Sequence, residues 1–364
     1  MKPPDHPVPS GDRMVARLFL AALARAGHDV RLVSRFRSRD GRGERAKQQD
    51  LIKAAAAERN RLSDEFGTGW SPDLWFTYHL YYKAPDLLGP PLADALSIPY
   101  LAAEVSHASK RRKGPWADFC RLVETAIAGA DHTLATTRAD RQALAELVPD
   151  ERLTLFPPFT ATRPRPPQRV ARNGNGPVRL LVIAMMRRGD KLMSYRLLGQ
   201  ALRRLDRRLD WHLTVVGGGP AAADVRHALA PARNRITFRG QVPVHALPGI
   251  MRSHDLMIWP AVNEAFGMAL LDAAALGLPV VAGRFGGVPD IVDHGASGWL
   301  TAPGNATDFA RGVDRLIRDD RQRRRMADQA WRRVTRRHGL VAASHRLDRI
   351  LRSALDRHSS GDRP

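Results

Sequence analysis

The sequence predicts an α/β protein built from two doubly wound parallel sheets, and three observations carry this prediction. Short runs of β-branched and other apolar residues alternate with helical stretches along the whole chain. In the second half these runs are continuously apolar, as expected for parallel strands that helices cover on both faces. A segment dense in Pro, Arg, Gly and Asn, residues 157–177, lacks apolar periodicity and separates the two halves.

Length and composition agree with this division. The chain has 364 residues, and two domains are expected at roughly 150 residues per domain. A hydrophobic fraction of 43% excludes wholesale disorder, and the single cysteine, Cys120, excludes an internal disulfide or a cysteine-rich zinc site. No apolar run approaches the ~20 residues that cross a bilayer, and the proline-rich N-terminus does not resemble a signal peptide. We therefore expect a cytoplasmic protein.

The charge is unusual, because 58 Lys and Arg face 37 Asp and Glu, a formal net charge of +21. Such a balance favours anionic partners, although an arginine-rich solvated surface explains it equally well. Nine arginines fall in residues 318–337, which we interpret as an amphipathic helix with Met326, Ala330 and Val334 on its inner face. Residues 110–113 are all basic. They could dock at the inner face of the cell membrane on anionic lipid headgroups, or form a solvated loop.

The predicted elements follow in order. An amphipathic helix at 15–27 precedes strands at 29–36, 73–80, 99–106 and 132–137, with helices at 51–66, 84–96, 117–128 and 138–147. After the separating segment, strands are expected at 178–185, 211–218, 236–240, 255–261, 279–283 and 298–302. We therefore assign an N-terminal domain to 1–160, a linker to 161–177, a C-terminal domain to 178–340, and a C-terminal helix and tail to 341–364 that could pack back on the N-terminal domain.

One expected element is missing. A doubly wound domain opens with a strand near the centre of its sheet, but here the first helix begins at about residue 13, preceded only by proline-broken sequence. Either the sheet lacks a central strand or the true start of the protein lies upstream. We expect the second.

Residues 262–292 carry most of the chemical information. They place a helix start near Gly267, directly after a strand, and a helix N-terminus behind a strand end binds anions. Gly267 would let a ligand approach the backbone from Phe266 to Ala269, including Met268. Glu264 and Asp272 could accept hydrogen bonds from two points of one elongated polyhydroxylated ligand. The alternative from spacing alone is a helix-capping Glu and a solvated helical Asp.

These motifs, Glu264-Ala265-Phe266-Gly267 followed by Asp272, Gly277-Leu278-Pro279-Val280-Val281 and Gly286-Gly287-Val288-Pro289-Asp290, resemble those of the family 4 glycosyltransferases. That resemblance implies the GT-B architecture, two Rossmann-like doubly wound parallel-sheet domains that face each other across a cleft. It assigns the donor sugar to Glu264, the nucleotide ribose to Asp272, and sugar and phosphate to the backbone from Phe266 through Gly267 and Met268 to Ala269. Asp272 replaces a Glu of the family pattern and is shorter by one C–C bond of about 1.5 Å.

The same resemblance adds residues around the donor. Gly217 and Gly219 match a strand-end glycine turn under the ligand, and Arg239 lies in the segment that meets the nucleobase. Lys191, with Arg187 or Arg188, is expected on the donor diphosphate; Met186 stands where the family has its Arg, whereas Lys191 aligns without a shift. Taken singly, the glycines could form an ordinary turn and the basic residues could be solvated.

The first half is expected to present the acceptor. Gly11 matches a glycine-rich loop that lies under the donor, although Ser10 or Asp12 could simply cap the first helix. In the family, a histidine often follows the second of the two strands at 73–80 and 99–106. His107 falls about two residues beyond that place and His79 lies at the end of the neighbouring strand, so the sequence does not decide between them.

Together these features predict a retaining, metal-independent transfer of sugar from a nucleotide-sugar donor to an acceptor hydroxyl, with a glycolipid or polysaccharide precursor favoured as acceptor. The donor is a substrate, and no separate cofactor, metal or nucleic acid is expected. A nucleotide-sugar epimerase of the same fold is the main alternative. A basic nucleic-acid-binding protein is less favoured, because the sequence lacks basic residues interleaved with aromatic ones and only 6% of its residues are aromatic.

Overall fold

The computed structural model describes residues 2–7, 10–167 and 176–361, and the chain divides into two compact units. Unit 1 comprises Met1–Pro157 together with Ala343–Pro364, and unit 2 comprises Pro158–Ala342. The predicted linker, 161–177, includes residues 168–175, which lie outside the described residues. Among the described residues, none of the helices combines the length and the apolar composition that a membrane-spanning segment requires.

Unit 1 contains a four-stranded parallel sheet in the order β1-β2-β3-β4. Its strands are β1 (Trp75–Leu80), β2 (Tyr100–Val105), β3 (His132–Ala135) and β4 (Leu153–Leu155). Three of them were predicted within one or two residues, and β4 was not. Because all four strands run the same way, the side chains that follow β1 and β2 emerge at one edge of the sheet.

Helices that precede or follow these strands cover the sheet. They are α1 (Gly11–Arg25), α2 (Arg45–Phe66), α3 (Gly89–Leu96), α4 (Ala117–Ala128) and α5 (Arg138–Leu144). The first begins four residues earlier than its apolar pattern suggests, because Ser10 caps it by accepting a hydrogen bond from the Arg13 amide at 3.2 Å. Its buried face includes Leu18, Phe19 and Leu23.

The strand predicted at 29–36 is wrong: this segment forms no ladder. A strand needs a neighbour about 4.8 Å away to pair with its amides and carbonyls. Here residues 28–36 line one side of a cavity of about 440 Å³, and residues 72–78 of β1 and its approach line the other. Val33 and Phe36 still pack on the core. Among the described residues, β1 pairs only with β2.

Unit 2 contains a six-stranded parallel sheet in the order β10-β9-β8-β5-β6-β7. The strands are β5 (Val178–Ile183), β6 (Trp211–Val216), β7 (Ile236–Gly240), β8 (Leu256–Trp259), β9 (Val280–Gly283) and β10 (Gly298–Thr301). All six were predicted, and most are buried along their length because helices cover both faces. From β5 the chain proceeds outwards through β6 and β7, then returns to the other side at β8. The strand order therefore reverses between β5 and β8.

The helices of unit 2 alternate with its strands. They are α6 (Asp190–Leu202), α7 (Ala222–Leu229), α8 (Leu247–Arg252), α9 (Met268–Ala275), α10 (Val288–Ile291), α11 (Ala306–Arg318) and α12 (Asp320–Arg333). The predicted inner face of the arginine-rich helix is confirmed, since Met326, Ala330 and Val334 are all buried. The α-helix ends at Arg333 and a π-helical turn, Val334–His338, follows it.

The last helix, α13 (Leu340–Ser359), belongs from Ala343 onwards to unit 1. Its end is held by the start of β3. His358 Nδ1 lies 2.9 Å from Asp131 Oδ1, while Asp131 Oδ2 accepts a hydrogen bond from the Tyr100 amide at 2.8 Å. Arg357 donates to the Asp131 carbonyl at 3.2 Å. A single buried carboxylate thus joins β2, β3 and the C-terminal helix.

The pKa of the neighbouring His132 indicates how the stability of the protein should depend on pH. Burial, aided by the nearby Arg357 and Arg152 charges, lowers the pKa of His132 from 6.5 to about 4. Folding therefore favours the neutral ring, and its contribution is complete above about pH 6.5 and is lost as pH falls towards 4. The loss should reach about 3 kcal/mol. Urea unfolding between pH 7.5 and 4.5 should show a shallower pH dependence for His132→Asn than for the wild type.

The matched control is His245→Asn, because His245 is an exposed histidine on a short 3₁₀ turn. Its pH dependence should follow that of the wild type. Equal slopes for the wild type and His132→Asn would contradict the assignment.

Candidate active site

The loops that follow β5 and β8 bring together a cation and a carboxylate. In open parallel sheets, ligands bind at the carboxyl ends of strands where the strand order reverses, which here is between these two strands. Lys191, in the first turn of α6, places its Nζ 2.5 Å from Glu264 Oε2. The indole N–H of Trp259, at the end of β8, donates to the same oxygen at 3.2 Å. Lys191 Nζ also lies 5.5 Å from the centre of the Trp259 ring.

The turn that carries Glu264 has an unusual backbone. Ala261 and Asn263 have φ angles of 55° and 53°, in the left-handed region that non-glycine residues rarely adopt. Each such residue costs on the order of 1–3 kcal/mol and persists where the surroundings impose it. One such constraint is the side chain of Ser194, which accepts a hydrogen bond from the Val262 amide at 3.0 Å. The fold therefore holds Glu264 beside α6 at the expense of local backbone strain.

The N-terminus of α9 lies next to Glu264 in the chain. Gly267 caps this helix with φ 74°, and among the described residues the amides of Met268 and Ala269 donate to no backbone acceptor. The Gly286–Gly287 turn packs against this loop. The Gly287 amide donates to the Ala265 carbonyl at 2.7 Å, and a Cβ at position 286 would lie 2.2 Å from the Glu264 carbonyl oxygen. The free amides and the helix dipole make this end suited to an anion.

The predicted glycine turn after β6 closes against the loop after β5. A Cβ on Gly217 would lie 1.9 Å from the Ala184 carbonyl oxygen, and one on Gly219 would lie 2.4 Å from that of Met186. Both glycines have positive φ, 142° and 146°. These two positions therefore exclude side chains for reasons internal to unit 2, whatever they contribute to a ligand.

The basic residues predicted near the diphosphate differ in placement. Met186 is buried, while Arg187 and Arg188 are exposed and form no ion pair among the described residues. Arg239, on the edge strand β7, is also exposed. Lys191 alone of this set contacts the Glu264 loop.

Asp272 lies on α9 and contacts two threonines that sequence reasoning missed. Thr160 and Thr162 donate to its Oδ1 at 2.5 and 2.9 Å, whereas no donor among the described residues reaches Oδ2. Desolvation raises the pKa of Asp272, and the two threonine hydrogen bonds oppose this rise. One carboxylate oxygen is thus held in place while the other can accept a further hydrogen bond.

In unit 1, His79 and Glu104 meet at the ends of β1 and β2. His79 Nδ1 lies 3.2 Å from Glu104 Oε1, and both residues have left-handed φ angles of 70° and 54°. Tyr78 is also close: burial, followed by the charge of Glu104, raises the pKa of its hydroxyl well above the usual range. The His79 side chain keeps 16% of its surface exposed.

His107 is enclosed instead, with 2% of its side chain exposed. Its Nε2 lies 2.8 Å from Glu124 Oε1, which also accepts a hydrogen bond from Arg112 at 2.7 Å. The potential metal ligands of His107, Cys120 and Glu124 lie within 4.8 Å of one another. The Arg112 guanidinium already supplies a cation to that carboxylate, and burial raises the pKa of the Cys120 thiol, so the group is a poor match for a metal ion.

The remaining predicted positions are Gly11 and the basic segment 110–113. Gly11 begins α1, and a Cβ there would meet no atom within 4 Å, so no packing within unit 1 requires a glycine. In the basic segment 110–113, Arg111 is partly buried and the other three residues are exposed.

Part of the chain matches a known family. The family model described as "Glycosyl transferases group 1" matches residues 171–333, which lie within unit 2 and make up less than half of the chain. This segment therefore has the sequence pattern of the group 1 glycosyl transferases, in agreement with the predicted resemblance.

Curated glycosyltransferases match parts of the chain. A D-inositol 3-phosphate glycosyltransferase from Corynebacterium kroppenstedtii is 29% identical over 238 residues, which are 63% of this chain and 52% of that protein. The chain spans about half the length of the curated relatives that it matches.

Solved structures confirm the fold. Sucrose-phosphate synthase from Thermosynechococcus elongatus superposes with a TM-score of 0.67 at 17% identity, covering 95% of this chain and 94% of that one. An Anabaena protein solved in complex with UDP gives a TM-score of 0.63 at 18% identity, covering 85% of each chain. The prediction of an α/β fold with two parallel-sheet units is thereby confirmed.

The close approach at Gly217 yields a stability prediction. Gly217→Ala should lower the free energy of unfolding by about 3 kcal/mol, because its Cβ would overlap the Ala184 carbonyl and its φ would be strained. Gly249→Ala is the matched control in unit 2, since a Cβ there meets nothing within 4 Å. Urea denaturation should separate the two variants, and equal stabilities would contradict the packing described here.

Proposed function

We propose that this protein transfers a glycosyl group from a nucleotide-sugar to an acceptor hydroxyl, with retention of anomeric configuration and without a metal ion. The observation that carries the proposal is the Lys191–Glu264 pair at the strand reversal of unit 2, beside the free amides at the start of α9. The group 1 glycosyl transferase match covers these residues, and a structural neighbour was solved with UDP.

In this proposal, binding of the donor separates the Lys191–Glu264 ion pair. The diphosphate contacts Lys191 and the amides of Met268 and Ala269. Arg187 or Arg188 can reach it from the exposed loop after β5. Glu264, released from Lys191, accepts hydrogen bonds from the hydroxyls of the donor sugar. Preorganised donors aimed at the departing diphosphate stabilise the charge that develops as the glycosidic bond breaks.

The nucleoside end is assigned to three further places. Oδ2 of Asp272 is free to accept a ribose hydroxyl, because the two threonines engage only Oδ1. The backbone around Arg239 is proposed to meet the base, and the Gly217 and Gly219 turn to pass beneath the ligand. The shorter reach of Asp272 relative to a Glu is compatible with this role if a water molecule bridges the contact.

Unit 1 is proposed to present the acceptor, with Gly11 near the donor as the family resemblance implies. Between the two histidines, the geometry favours His79. Its ring is partly exposed and its Nδ1 lies 3.2 Å from Glu104 Oε1, which leaves Nε2 to contact a substrate. His107 is enclosed by Glu124 and is better suited to positioning the loop after β2.

The proposal needs no metal, because cations of the chain and the α9 terminus supply positive charge at the diphosphate. A glycolipid or polysaccharide precursor as acceptor, and peripheral contact of residues 110–113 with an anionic membrane, remain predictions from the sequence.

The direct test combines donor binding with product analysis. The whole chain should be screened by thermal shift against UDP-, GDP- and ADP-sugars, and the stabilising donor incubated with candidate acceptors in the presence of EDTA. We expect one donor class to raise the melting temperature and the product to keep the anomeric configuration of the donor, as read by NMR. Conversion of the donor sugar without any acceptor would identify an epimerase instead.

Lys191→Ala tests the diphosphate role. Loss of one transition-state contact costs about 3 kcal/mol, so kcat/KM should fall by about 100-fold. The matched control is Arg196→Ala, an exposed cation on the same helix, which should retain activity. Unchanged kinetics for Lys191→Ala would remove Lys191 from the proposed site.

A pair of alanine variants tests the choice of histidine. His79→Ala should lower kcat/KM by about 10- to 100-fold with little change in stability, because one substrate hydrogen bond is lost. His107→Ala should lower the free energy of unfolding by about 1–3 kcal/mol, because it leaves the buried Glu124 contact unmade. The reverse pattern, activity lost with His107 and stability lost with His79, would exchange the two assignments.

A further inference from the structure

Two cations and two aromatic rings form a compact cluster beyond the ends of β1 and β2. We call Tyr82, Lys83, Arg111 and Trp116 the cation–aromatic cluster. Lys83 Nζ lies 5.6 Å from the centre of the Tyr82 ring and 5.1 Å from that of Trp116. Arg111 Cζ lies 5.2 and 5.1 Å from the same two centres. The rings meet edge to face at 5.6 Å, so both cations share one pair of rings.

No acidic side chain of the described residues forms an ion pair with this cluster. Within the part of the chain that the structure describes, neither Lys83 nor Arg111 forms an ion pair, and neither does Lys110 or Lys113 beside them. The Nε atom of Arg111 is buried and has no hydrogen-bond acceptor. Like charges held on the same rings repel each other, and a buried N–H without an acceptor is unfavourable. An anion between Lys83 and Arg111 would offset the repulsion between the two cations and could accept a hydrogen bond from Arg111 Nε.

Residues 40–48 of unit 1 hold the two loops of the cluster in place, so the geometry of the cluster does not depend on a ligand. The Asp40 carboxylate is fully buried and accepts three hydrogen bonds, one of them from Gln48 at 2.9 Å. The Asp40 amide donates to the Lys83 carbonyl at 2.9 Å, and Gln48 donates to the Pro115 carbonyl at 2.9 Å. Gly43 packs so closely that a Cβ would lie 2.4 Å from Pro115 Cβ. This segment therefore ties both cation-bearing loops together.

A row of contacting rings joins the cluster to the His79–Glu104 pair. The His79 and Tyr81 rings lie 4.8 Å apart, Tyr81 and Tyr82 lie 5.6 Å apart, and Tyr82 contacts Trp116. A ligand with a hydroxyl at His79 could thus extend along these rings and place a charged substituent at Arg111. Aromatic surfaces of this kind suit the apolar faces of sugar and cyclitol rings.

From these observations we infer that the cation–aromatic cluster binds a phosphate monoester on the acceptor, so that the acceptor is a phosphorylated sugar or cyclitol. The inference rests on the proposed function. Two adjacent cations match the charge of a phosphate monoester, which approaches −2 at neutral pH. Arg111 offers the planar fork that binds phosphate oxygens in pairs, and Lys83 supplies a point charge.

A lipid surface fits the cluster less well. Arg111, Lys83 and both rings are partly buried, whereas docking on a bilayer relies on cations that project into the headgroup layer. Within the basic segment 110–113, only Lys110, Arg112 and Lys113 are exposed, and Arg112 is paired with Glu124. Membrane binding is therefore treated as a competing outcome of the test.

The test measures binding to the whole chain by isothermal titration calorimetry, at constant ionic strength, with glucose 6-phosphate, glucose and inorganic phosphate as probes. We expect glucose 6-phosphate to bind at least 10-fold more tightly than glucose. Arg111→Gln and Lys83→Met should each weaken glucose 6-phosphate binding by about 10-fold. Arg25→Gln and Lys53→Met, which alter exposed cations elsewhere in unit 1, should change it by less than 2-fold. UDP affinity should be equal in all five proteins, which also verifies folding.

The inference is overturned if glucose and glucose 6-phosphate bind alike, or if the control variants weaken binding as much as the cluster variants. It is equally overturned if vesicles of phosphatidylserine and phosphatidylcholine retain the chain through Arg111 and Lys83 while the sugar phosphate does not bind. Failure of the proposed function has a different signature: absent UDP binding and absent transfer, with the phosphate preference and its loss in the two variants intact.

Discussion

The reversal of strand order between β5 and β8 is the constraint on which the candidate site depends. Parallel strands end at one edge of their sheet, and the two loops that leave this edge in opposite directions open a gap between them. Lys191 and Glu264 stand on either side of that gap and pair across it at 2.5 Å. Trp259, Ser194 and the left-handed turn residues then hold this geometry. Much of the unusual chemistry of unit 2 is thus a consequence of its topology.

In both units, residues with strained backbone conformations lie at or just after the ends of strands. Of the five non-glycine residues with positive φ among those described, His79 and Glu104 lie at strand ends in unit 1, and Ala261 and Asn263 follow β8 in unit 2. Such conformations are unfavourable and persist only when the surrounding fold imposes them. Their coincidence with a His–Glu pair and with the Glu264 turn links the strained backbone to the residues proposed to contact donor and acceptor.

The basic side chains fall into two groups, exposed arginines in surface ion pairs and partly buried cations near the proposed sites. Surface arginines form many exposed ion pairs, such as Arg318 with Asp314, which contribute little to stability. Lys191, Lys83 and Arg111, on which the two proposals mainly depend, are partly buried. Lys191 is paired with Glu264, whereas Lys83 and Arg111 have no carboxylate partner among the described residues. The net charge of +21 is therefore a poor guide to ligands. Partial burial distinguishes these three cations from the exposed arginines of the surface ion pairs.

By itself, the sequence determined the parallel α/β units, all six strands of unit 2, the loop holding Glu264 and Gly267, and the resemblance to glycosyltransferases. Apolar periodicity and glycine spacing are local properties of the chain. Strand pairing is not local. Residues 29–36 look like a strand but pair with no other strand in the described part of the chain, and only the tertiary structure could show this. It also decided that His107 is enclosed by Glu124, that Thr160 and Thr162 engage Asp272, and that Lys83 and Arg111 share two rings. Each of these contacts joins residues distant in the chain, and their meeting depends on how helices pack on the sheets.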